Sequence, residues 1–290
     1  MADTDTILPG TILEVGERVV RLIGTRMREV VIDGAPFTLS HKGTTDIVTE
    51  IDLWAEEQIK KAVSELFPGH VVIGEESYRE LEKAHGKSLE EISAKGLCWI
   101  VDPIDGTSNF ASRIPHCSVS IGVLEDGKRI AGLVYDPFLD ELFTAVKGQG
   151  AFCNGRPLAV SGRSALLESI VGTGFPGDYA RTHWNLFAEA QKVFSQRCRR
   201  IRLFGSSAIE LCWVAAGRLD CFFEYYLNPW DVAAGSLIVE EAKGKMGCFI
   251  EPQKPYSIFG KSTLGANAAL FNEMLALAHG AYTYTTQKQC

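Results

Sequence analysis

The sequence predicts an α/β protein in which the two halves of one compact unit differ in architecture, and three observations support this. Apolar runs between residues 98 and 146 are separated by Asp-Gly and similar turn signals, which favour antiparallel pairing. From residue 170 onwards, strand-like and helix-like segments alternate, as is typical of α/β folds. Glycine and proline are spread without forming a linker. We therefore expect one unit over 1–290, with an α+β half at about 1–148 and an α/β half at about 149–290.

The first half begins with helices. Apolar residues recur at helical spacing over Thr6–Val31, and a second helix is predicted over Asp52–Phe67. Val71–Ile73 has the composition of a short buried strand, and residues 78–96, rich in Glu, Lys and Ser, form a surface segment that we expect to be partly helical and mobile. The apolar runs that follow predict one sheet with strands at 98–101, 118–124, 130–136 and 141–146.

The second half alternates between the two kinds of element. The pattern predicts strands at 170–174, 201–204 and 221–224, and helices at 182–194, at 207–216 and from Asp231 onwards. Such an alternation indicates a sheet covered by helices, and hence a layered α/β sandwich.

Composition excludes several classes of protein. The net charge of −7 repels phosphate backbones, so nucleic acid is not expected as the main partner. No stretch approaches the ~18 unbroken apolar residues of a membrane span, and the acidic start MADTDTILPG has no apolar signal core, which predicts a cytoplasmic protein. The eight cysteines form no CxxC pair and mostly lie inside apolar runs, so we expect them to be buried and reduced.

The segment Asp102-Pro103-Ile104-Asp105-Gly106 carries the strongest chemical signal. An apolar strand, Trp99 to Val101, delivers two aspartates three residues apart around a stiff turn. Taken alone, the pattern is more typical of a turn, because Asp and Gly are common turn formers. Two neighbouring carboxylates, however, repel one another unless a cation lies between them, and Mg²⁺ prefers such oxygen ligands.

Further acids favour the metal interpretation. Glu75 and Glu76 end a predicted strand, and Asp231 starts a predicted helix. Strand ends are where the sites of α/β folds assemble, and converging carboxylates can hold two or more divalent ions for phosphoryl transfer. The amides at Gly106, Thr107 and Ser108 can in addition receive a phosphate at the start of a short helix.

These motifs resemble the signatures of the inositol monophosphatase family over nearly the whole chain. The matching segments are Gly74-Glu75-Glu76-Ser77, Asp102 to Phe110 (DPIDGTSNF), Trp230 to Gly235 (WDVAAG), Lys42 to Asp52, Gly148 to Gly155 and Gly205-Ser206-Ser207-Ala208. The resemblance implies an αβαβα sandwich, a homodimer, lithium sensitivity, and two or three Mg²⁺ ions. It also implies hydrolysis of a small-molecule phosphate ester, most of all inositol monophosphate, by in-line attack of a metal-activated water.

The resemblance also implies roles for individual residues. One Mg²⁺ is expected at Glu75, Asp102 and the Ile104 carbonyl, a second at Asp102, Asp105 and Asp231, and a weaker third at Glu75. The expected catalytic residues are Glu75 and the pair Thr107 and Asp52, which activates the water. Phosphate is expected at the Gly106 and Thr107 amides, and substrate hydroxyls at Ser207 and Glu224. Two segments depart from the pattern. The one from Lys42 to Asp52 is a residue short, which leaves the role of Lys42 open, and 78–96 is longer than usual and interpreted as surface decoration.

Alternatives remain at two levels. Gly172 to Gly177 matches the dinucleotide motif GxGxxG, but Pro176 lies in the turn and no acid follows the next strand, which argues against a nucleotide fold. Related families use the same scaffold on fructose 1,6-bisphosphate, histidinol phosphate or 3'-phosphoadenosine 5'-phosphate. Glu224 favours a polyol over a nucleotide, since a carboxylate accepts hydroxyl bonds and repels a second phosphate. A regulatory binding partner that keeps the fold is the alternative of another class, since some bacterial relatives associate with the transcription machinery.

Overall fold

Two β-sheets alternate with layers of helices in a computed structural model that describes residues 9–44, 47–174 and 177–287. The helices are α1 (Pro9–Val31), α2 (Glu50–Leu66), α3 (Tyr78–His85), α4 (Leu89–Ser93), α5 (Thr107–Ala111), α6 (Gly177–Arg197), α7 (Ser207–Ala215), α8 (Pro229–Glu241) and α9 (Phe271–Gln287). The strands are β1 (Leu39–His41), β2 (Ile47–Thr49), β3 (Val71–Gly74), β4 (Leu97–Asp105), β5 (Ser118–Glu125), β6 (Lys128–Asp136), β7 (Glu141–Val146), β8 (Gly150–Cys153), β9 (Arg156–Pro157), β10 (Ile170–Thr173), β11 (Arg200–Arg202), β12 (Cys221–Tyr225), β13 (Lys245–Gly247) and β14 (Ser262–Ala266).

The larger sheet contains seven strands in the order β3-β4-β5-β6-β7-β8-β9. Only β3 and β4 are parallel, and the other neighbours pair antiparallel, as the turn signals predict. α1 and α2 cover one face of this sheet, because their apolar stripes pack on alternate residues of β4 and β5 such as Trp99, Val101 and Val119. The sheet continues through β8 and β9, beyond residue 148.

The smaller sheet has the order β11-β10-β12-β14-β13. β10 is parallel to both of its neighbours, whereas β14 is antiparallel to β12 and β13. α6 and α9 lie on its outer face, where Phe194 and Met274 pack with Phe223 of β12. This face of the sheet therefore has its own apolar core.

Helices α7 and α8 fill the space between the two sheets. Both helices are almost entirely buried. Apolar residues therefore occur around most of each helix and are not confined to one face. Two glycines of the larger sheet allow α8 to approach closely, since a Cβ at Gly122 would lie 2.6 Å from Ala233 Cβ and a Cβ at Gly132 would lie 2.9 Å from the Ala234 carbonyl oxygen. The layers thus follow the order αβαβα, which confirms the predicted fold class.

Most predicted elements are confirmed with small shifts at their ends. The first helix begins at Pro9, and residues 6–8 lie outside the described ranges. The segment 78–96 contains α3 and α4, which confirms its partly helical character, and Tyr78 packs against Trp230 at a ring distance of 4.9 Å. The hairpin β1-β2, strands β8, β9, β13 and β14, and helix α9 were not predicted. The cysteines of the described part are free, and all but Cys153 are buried.

Candidate active site

Strand β4 delivers Asp102 and Asp105 to the interior through a β-bulge. Asp102 pairs with Ser120 and Asp105 with Ser118, so three steps on β4 match two steps on β5. The extra residue and Pro103 change the alternation of faces, and both aspartates become buried, with exposed fractions of 2% and 5%. The Asp102 carboxylate also accepts the Ile104 amide at 3.1 Å, which fixes the turn.

Asp231 approaches the same place from the start of α8. Asn228 and Asp231 form a capping box in which the Asn228 amide donates to the Asp231 carboxylate at 2.7 Å, and Pro229 stands in the first turn. Carboxylate oxygens of Asp102, Asp105 and Asp231 all lie within 4.8 Å of one another. The larger sheet and the central helix layer therefore both contribute to one acidic cluster.

The cluster is electrostatically strained in the absence of a cation. Burial, followed by the charges of Glu75, Asp105 and Asp231, holds the pKa of Asp102 well above its usual range. Burial likewise raises the pKa of Asp105 to about 6, although hydrogen bonds from Ser206, the Ala208 amide and Ser118 oppose the shift. A divalent ion would offset the cost of burying the charged carboxylates and would reduce the repulsion between them. Three hard oxygen donors at this spacing fit such an ion.

Glu75 lies at the border of this cluster. Its amide donates to the Val101 carbonyl at 3.2 Å, and its charge helps to raise the pKa values of Asp102 and Asp231. Lys42 Nζ lies 3.3 Å from the Glu75 carboxylate and 2.6 Å from that of Glu76. Lys42, whose role the sequence left open, thus neutralises part of the acidic charge beside the cluster.

Thr107, the first residue of α5, lies next to Asp52 of α2. The Thr107 hydroxyl lies 3.1 Å from the Ile104 carbonyl oxygen and 3.5 Å from Asp52 Oδ1. Thr49 caps α2 and orients Asp52, since its amide and hydroxyl donate to Asp52 Oδ2 at 2.8 and 2.5 Å. Burial raises the pKa of Asp52 to about 6 against these hydrogen bonds. Asp52 Oδ1 remains directed at Thr107.

Gly106 has a left-handed backbone, with φ 93°, and a Cβ there would lie 2.9 Å from the Gly205 carbonyl oxygen. Asn109 links the turn at Gly106 to the turn at Gly205, because its Nδ2 donates to the carbonyls of His116 and Phe204 at 2.8 Å each. The Gly205 to Ala208 segment is thereby held against Asp105.

Glu224 and Ser207 form a second polar group near the cluster. The Ser207 hydroxyl donates to Glu224 Oε2 at 3.3 Å, and both residues are buried. A Cβ at Gly174 would lie only 1.9 Å from Glu224 Oε2, so the glycine makes the room that this carboxylate occupies. Burial raises the pKa of Glu224 to about 8.

The first glycine of the GxGxxG match, Gly172, likewise leaves room for a buried carboxylate. A Cβ at Gly172 would lie 2.3 Å from the carboxylate of Glu210, a fully buried residue of α7. The two glycines therefore accommodate two acidic side chains, while residues 175 and 176 of the motif lie outside the described ranges. Sequence analysis missed Glu210, Ser206 and Thr49. Thr49 carries a local signal, the Thr-x-x-Asp capping box, and Ser206 lies in the Gly205 to Ala208 motif, although no role was predicted for it.

The raised pKa of Glu224 predicts a pH-dependent stability of the metal-free protein. A carboxyl that is protonated when folded and ionised when unfolded stabilises the fold below the unfolded value near 4.5 and loses this contribution as pH rises to about 8. The loss approaches about 1.4 kcal/mol per pH unit within this window. We expect Glu224→Gln to reduce the decline in the free energy of unfolding between pH 5 and 8, measured with urea in EDTA. The exposed Glu125→Gln is the control, and equal slopes for all three proteins would contradict the prediction.

Known proteins resemble this chain over most of its length. The model of the "Inositol monophosphatase family" matches residues 10–280. "Nus factor SuhB" of Escherichia coli K12 is 41% identical over 240 residues, covering 82% of this chain and 84% of the relative. "Inositol-1-monophosphatase" of Caulobacter vibrioides is 38% identical over 239 residues, covering 82% and 89%. The crystal structure of the SuhB protein of Bartonella henselae superposes with a TM-score of 0.81 at 32% identity, covering 92% and 98%. The chain belongs to the inositol monophosphatase family.

Proposed function

We propose that this chain is a Mg²⁺-dependent phosphatase that hydrolyses phosphate monoesters of small polyols, with inositol monophosphate as the main substrate. The observation that carries the proposal is the cluster formed by the buried Asp102 and Asp105 and the partly buried Asp231, which adjoins Glu75 and has hard oxygen donors only. Its neighbours Thr107 and Asp52 form a pair that can handle a proton. The same fold and family membership make phosphate esters the expected substrates.

Bound at Glu75, Asp102, Asp105, Asp231 and the Ile104 carbonyl, two or three Mg²⁺ ions would supply Lewis acidity and charge for phosphoryl transfer. The protein's own residues would orient and deprotonate the attacking water. Thr107 holds this water by its hydroxyl, and Asp52, which is mainly ionised at pH 7.5 with a pKa of about 6, accepts the proton through Thr107. The amides of Gly106 and Thr107 would hold the phosphate.

Glu224 and Ser207 would recognise the alcohol part of the substrate. A pKa of about 8 changes the physical argument for selectivity, because Glu224 then holds a proton at pH 7 in the metal-free protein. A neutral carboxyl both donates to and accepts from hydroxyl groups. Its expected repulsion of a second phosphate begins as the pH rises through the pKa of this carboxyl, which bound Mg²⁺ would lower. Selectivity against phosphorylated nucleotides and sugar bisphosphates is therefore expected to depend on pH.

Glu224→Gln tests this assignment. The parent should prefer inositol 1-phosphate to fructose 1,6-bisphosphate and 3'-phosphoadenosine 5'-phosphate, and the preference should grow about tenfold between pH 5 and 9, since the carboxylate, once ionised, repels the second phosphate. In Glu224→Gln the preference should stay constant over this range. The measurement is kcat/KM by phosphate release. A parent that favours the nucleotide at every pH would disprove the inositol assignment and leave the phosphatase assignment intact.

A role as a regulatory partner is the second candidate. It is favoured by the 41% identity to a relative named as a Nus factor. A pull-down from bacterial lysate, with the parent beside Asp102→Asn, would separate the two functions, because a purely regulatory protein should retain its partners and show no turnover. A homodimer is predicted from the family resemblance, and a cytoplasmic location is predicted from the sequence. None of the described helices has the length and apolar character needed to cross a membrane.

A further inference from the structure

The turn from Gly74 to Ser77, which contains Glu75, is hydrogen-bonded to side chains of helix α2. Glu56 of α2 is buried, with 3% of its surface exposed, and its Oε2 accepts the Glu76 amide at 2.8 Å. A Cβ at Gly74 would lie 2.2 Å from the same oxygen. The lack of a side chain at Gly74 therefore leaves room for the Glu56 carboxylate beside the turn.

The other oxygen of Glu56 is also engaged. Lys60 Nζ lies 2.7 Å from Glu56 Oε1 and donates to the Ser77 hydroxyl at 2.6 Å. The carboxylate and the ammonium together contact both ends of the segment Glu76-Ser77. A buried carboxylate that is paired and hydrogen-bonded in this way avoids the cost of an isolated buried charge.

Glu56 also follows Asp52 by one helical turn, so the two carboxylates lie on the same side of α2. Asp52 is directed at Thr107, and Glu56 is directed at the turn of Glu75. The backbone around Glu75 is thus fixed on both sides, by its own amide on Val101 and by the next amide on Glu56.

We propose that Glu56 is a positioning residue that directs the Glu75 carboxylate towards Asp102 and so sets the affinity for the divalent ion. The inference rests on the proposed function, because it concerns the metal site of that function. Glu56 contacts neither the three clustered aspartates nor the alcohol-binding group. It acts through the orientation of the peptide between Glu75 and Glu76.

Two substitutions separate geometry from charge. Glu56→Asp keeps the charge but withdraws the oxygen by one carbon–carbon bond, about 1.5 Å, from the Glu76 amide. Glu56→Gln keeps an acceptor at full reach and removes the charge. If position matters, Mg²⁺ affinity measured by calorimetry should fall at least tenfold in Glu56→Asp and stay within about threefold in Glu56→Gln. The exposed Glu57→Gln on the same helix is the matched control.

The kinetic readout is the Mg²⁺ concentration that gives half-maximal activity. It should rise in Glu56→Asp in parallel with the dissociation constant, while kcat at saturating Mg²⁺ and KM for the phosphate ester stay close to those of the parent. The reverse order, with Glu56→Gln weaker than Glu56→Asp, would overturn the positioning role in favour of a charge effect, and so would unchanged affinity in both variants. A parent that binds no Mg²⁺ would instead disprove the proposed metal site itself.

Discussion

Asp102→Asn and Asp105→Asn should each lower kcat/KM for inositol 1-phosphate by at least about 10³-fold. Each change removes a negative oxygen ligand from a largely buried cluster whose carboxylate oxygens lie within 4.8 Å of one another. A factor of 10³ corresponds to about 4 kcal/mol of transition-state stabilisation, which metal ions commonly supply. The fold should survive. The metal-free variants should even unfold at a higher temperature than the metal-free parent, because the burial of mutually repelling carboxylates is relieved.

Mg²⁺ provides the second measurement for these variants. It should raise the unfolding temperature of the parent, since a ligand that binds only the native state stabilises it, and this increase should be much smaller in the variants. The exposed Asp33→Asn should behave like the parent in both assays. Variants with normal Mg²⁺ binding and activity within tenfold of the parent would refute the metal-site assignment.

Loss of the Thr107–Asp52 pair should have the next largest effect. Thr107→Ala and Asp52→Asn remove the hydroxyl and the ionised acceptor that lie 3.5 Å apart, and we expect kcat to fall by about 10² to 10⁴, the range typical of general acid–base catalysis. Mg²⁺ affinity should change little, because neither side chain belongs to the aspartate cluster. Single-turnover rates measured at saturating Mg²⁺ would report the chemical step directly.

Thr107→Ser is the control for this prediction, since it keeps the hydroxyl and loses only a methyl group. It should retain most of the activity. The double variant Thr107→Ala with Asp52→Asn should be little worse than either single variant, because the two groups act as one unit. An increase of KM at unchanged kcat would show that the pair binds substrate and does not activate water.

The two-part α/β architecture and the acidic cluster could both be predicted because both depend on short local patterns in the sequence. Asp102 and Asp105 follow an apolar strand, and Asp231 starts a predicted helix, so the convergence of these acids at one edge of the sheet could be inferred. The αβαβα order followed from the family resemblance once the motifs were found. Short elements such as β1, β9 and β13, with two or three residues, contain too few side chains to show a period.

The supporting contacts could not be predicted, because they join residues that are distant in the chain. Glu56 and Gly74 are 18 positions apart, and Glu210 and Gly172 are 38 positions apart, yet each pair shares one small volume. In the sequence Glu56 is an ordinary helical glutamate. The same limit applies to the protonation state of Glu224, whose pKa of about 8 results from burial that a strand pattern alone does not quantify.

The fit between glycines and glutamates restricts how such a protein can change over time. Gly74, Gly172 and Gly174 each face a carboxylate so closely that an alanine would collide with it, at 2.2, 2.3 and 1.9 Å for the added carbon. A substitution at one of these glycines is therefore coupled to the side chain of the opposing glutamate. An alanine at such a position requires the opposing glutamate to move away or to be shortened, whereas shortening the glutamate alone leaves a cavity. Homologues with a larger residue at one of these glycines should consequently have a shorter side chain in place of the opposing glutamate.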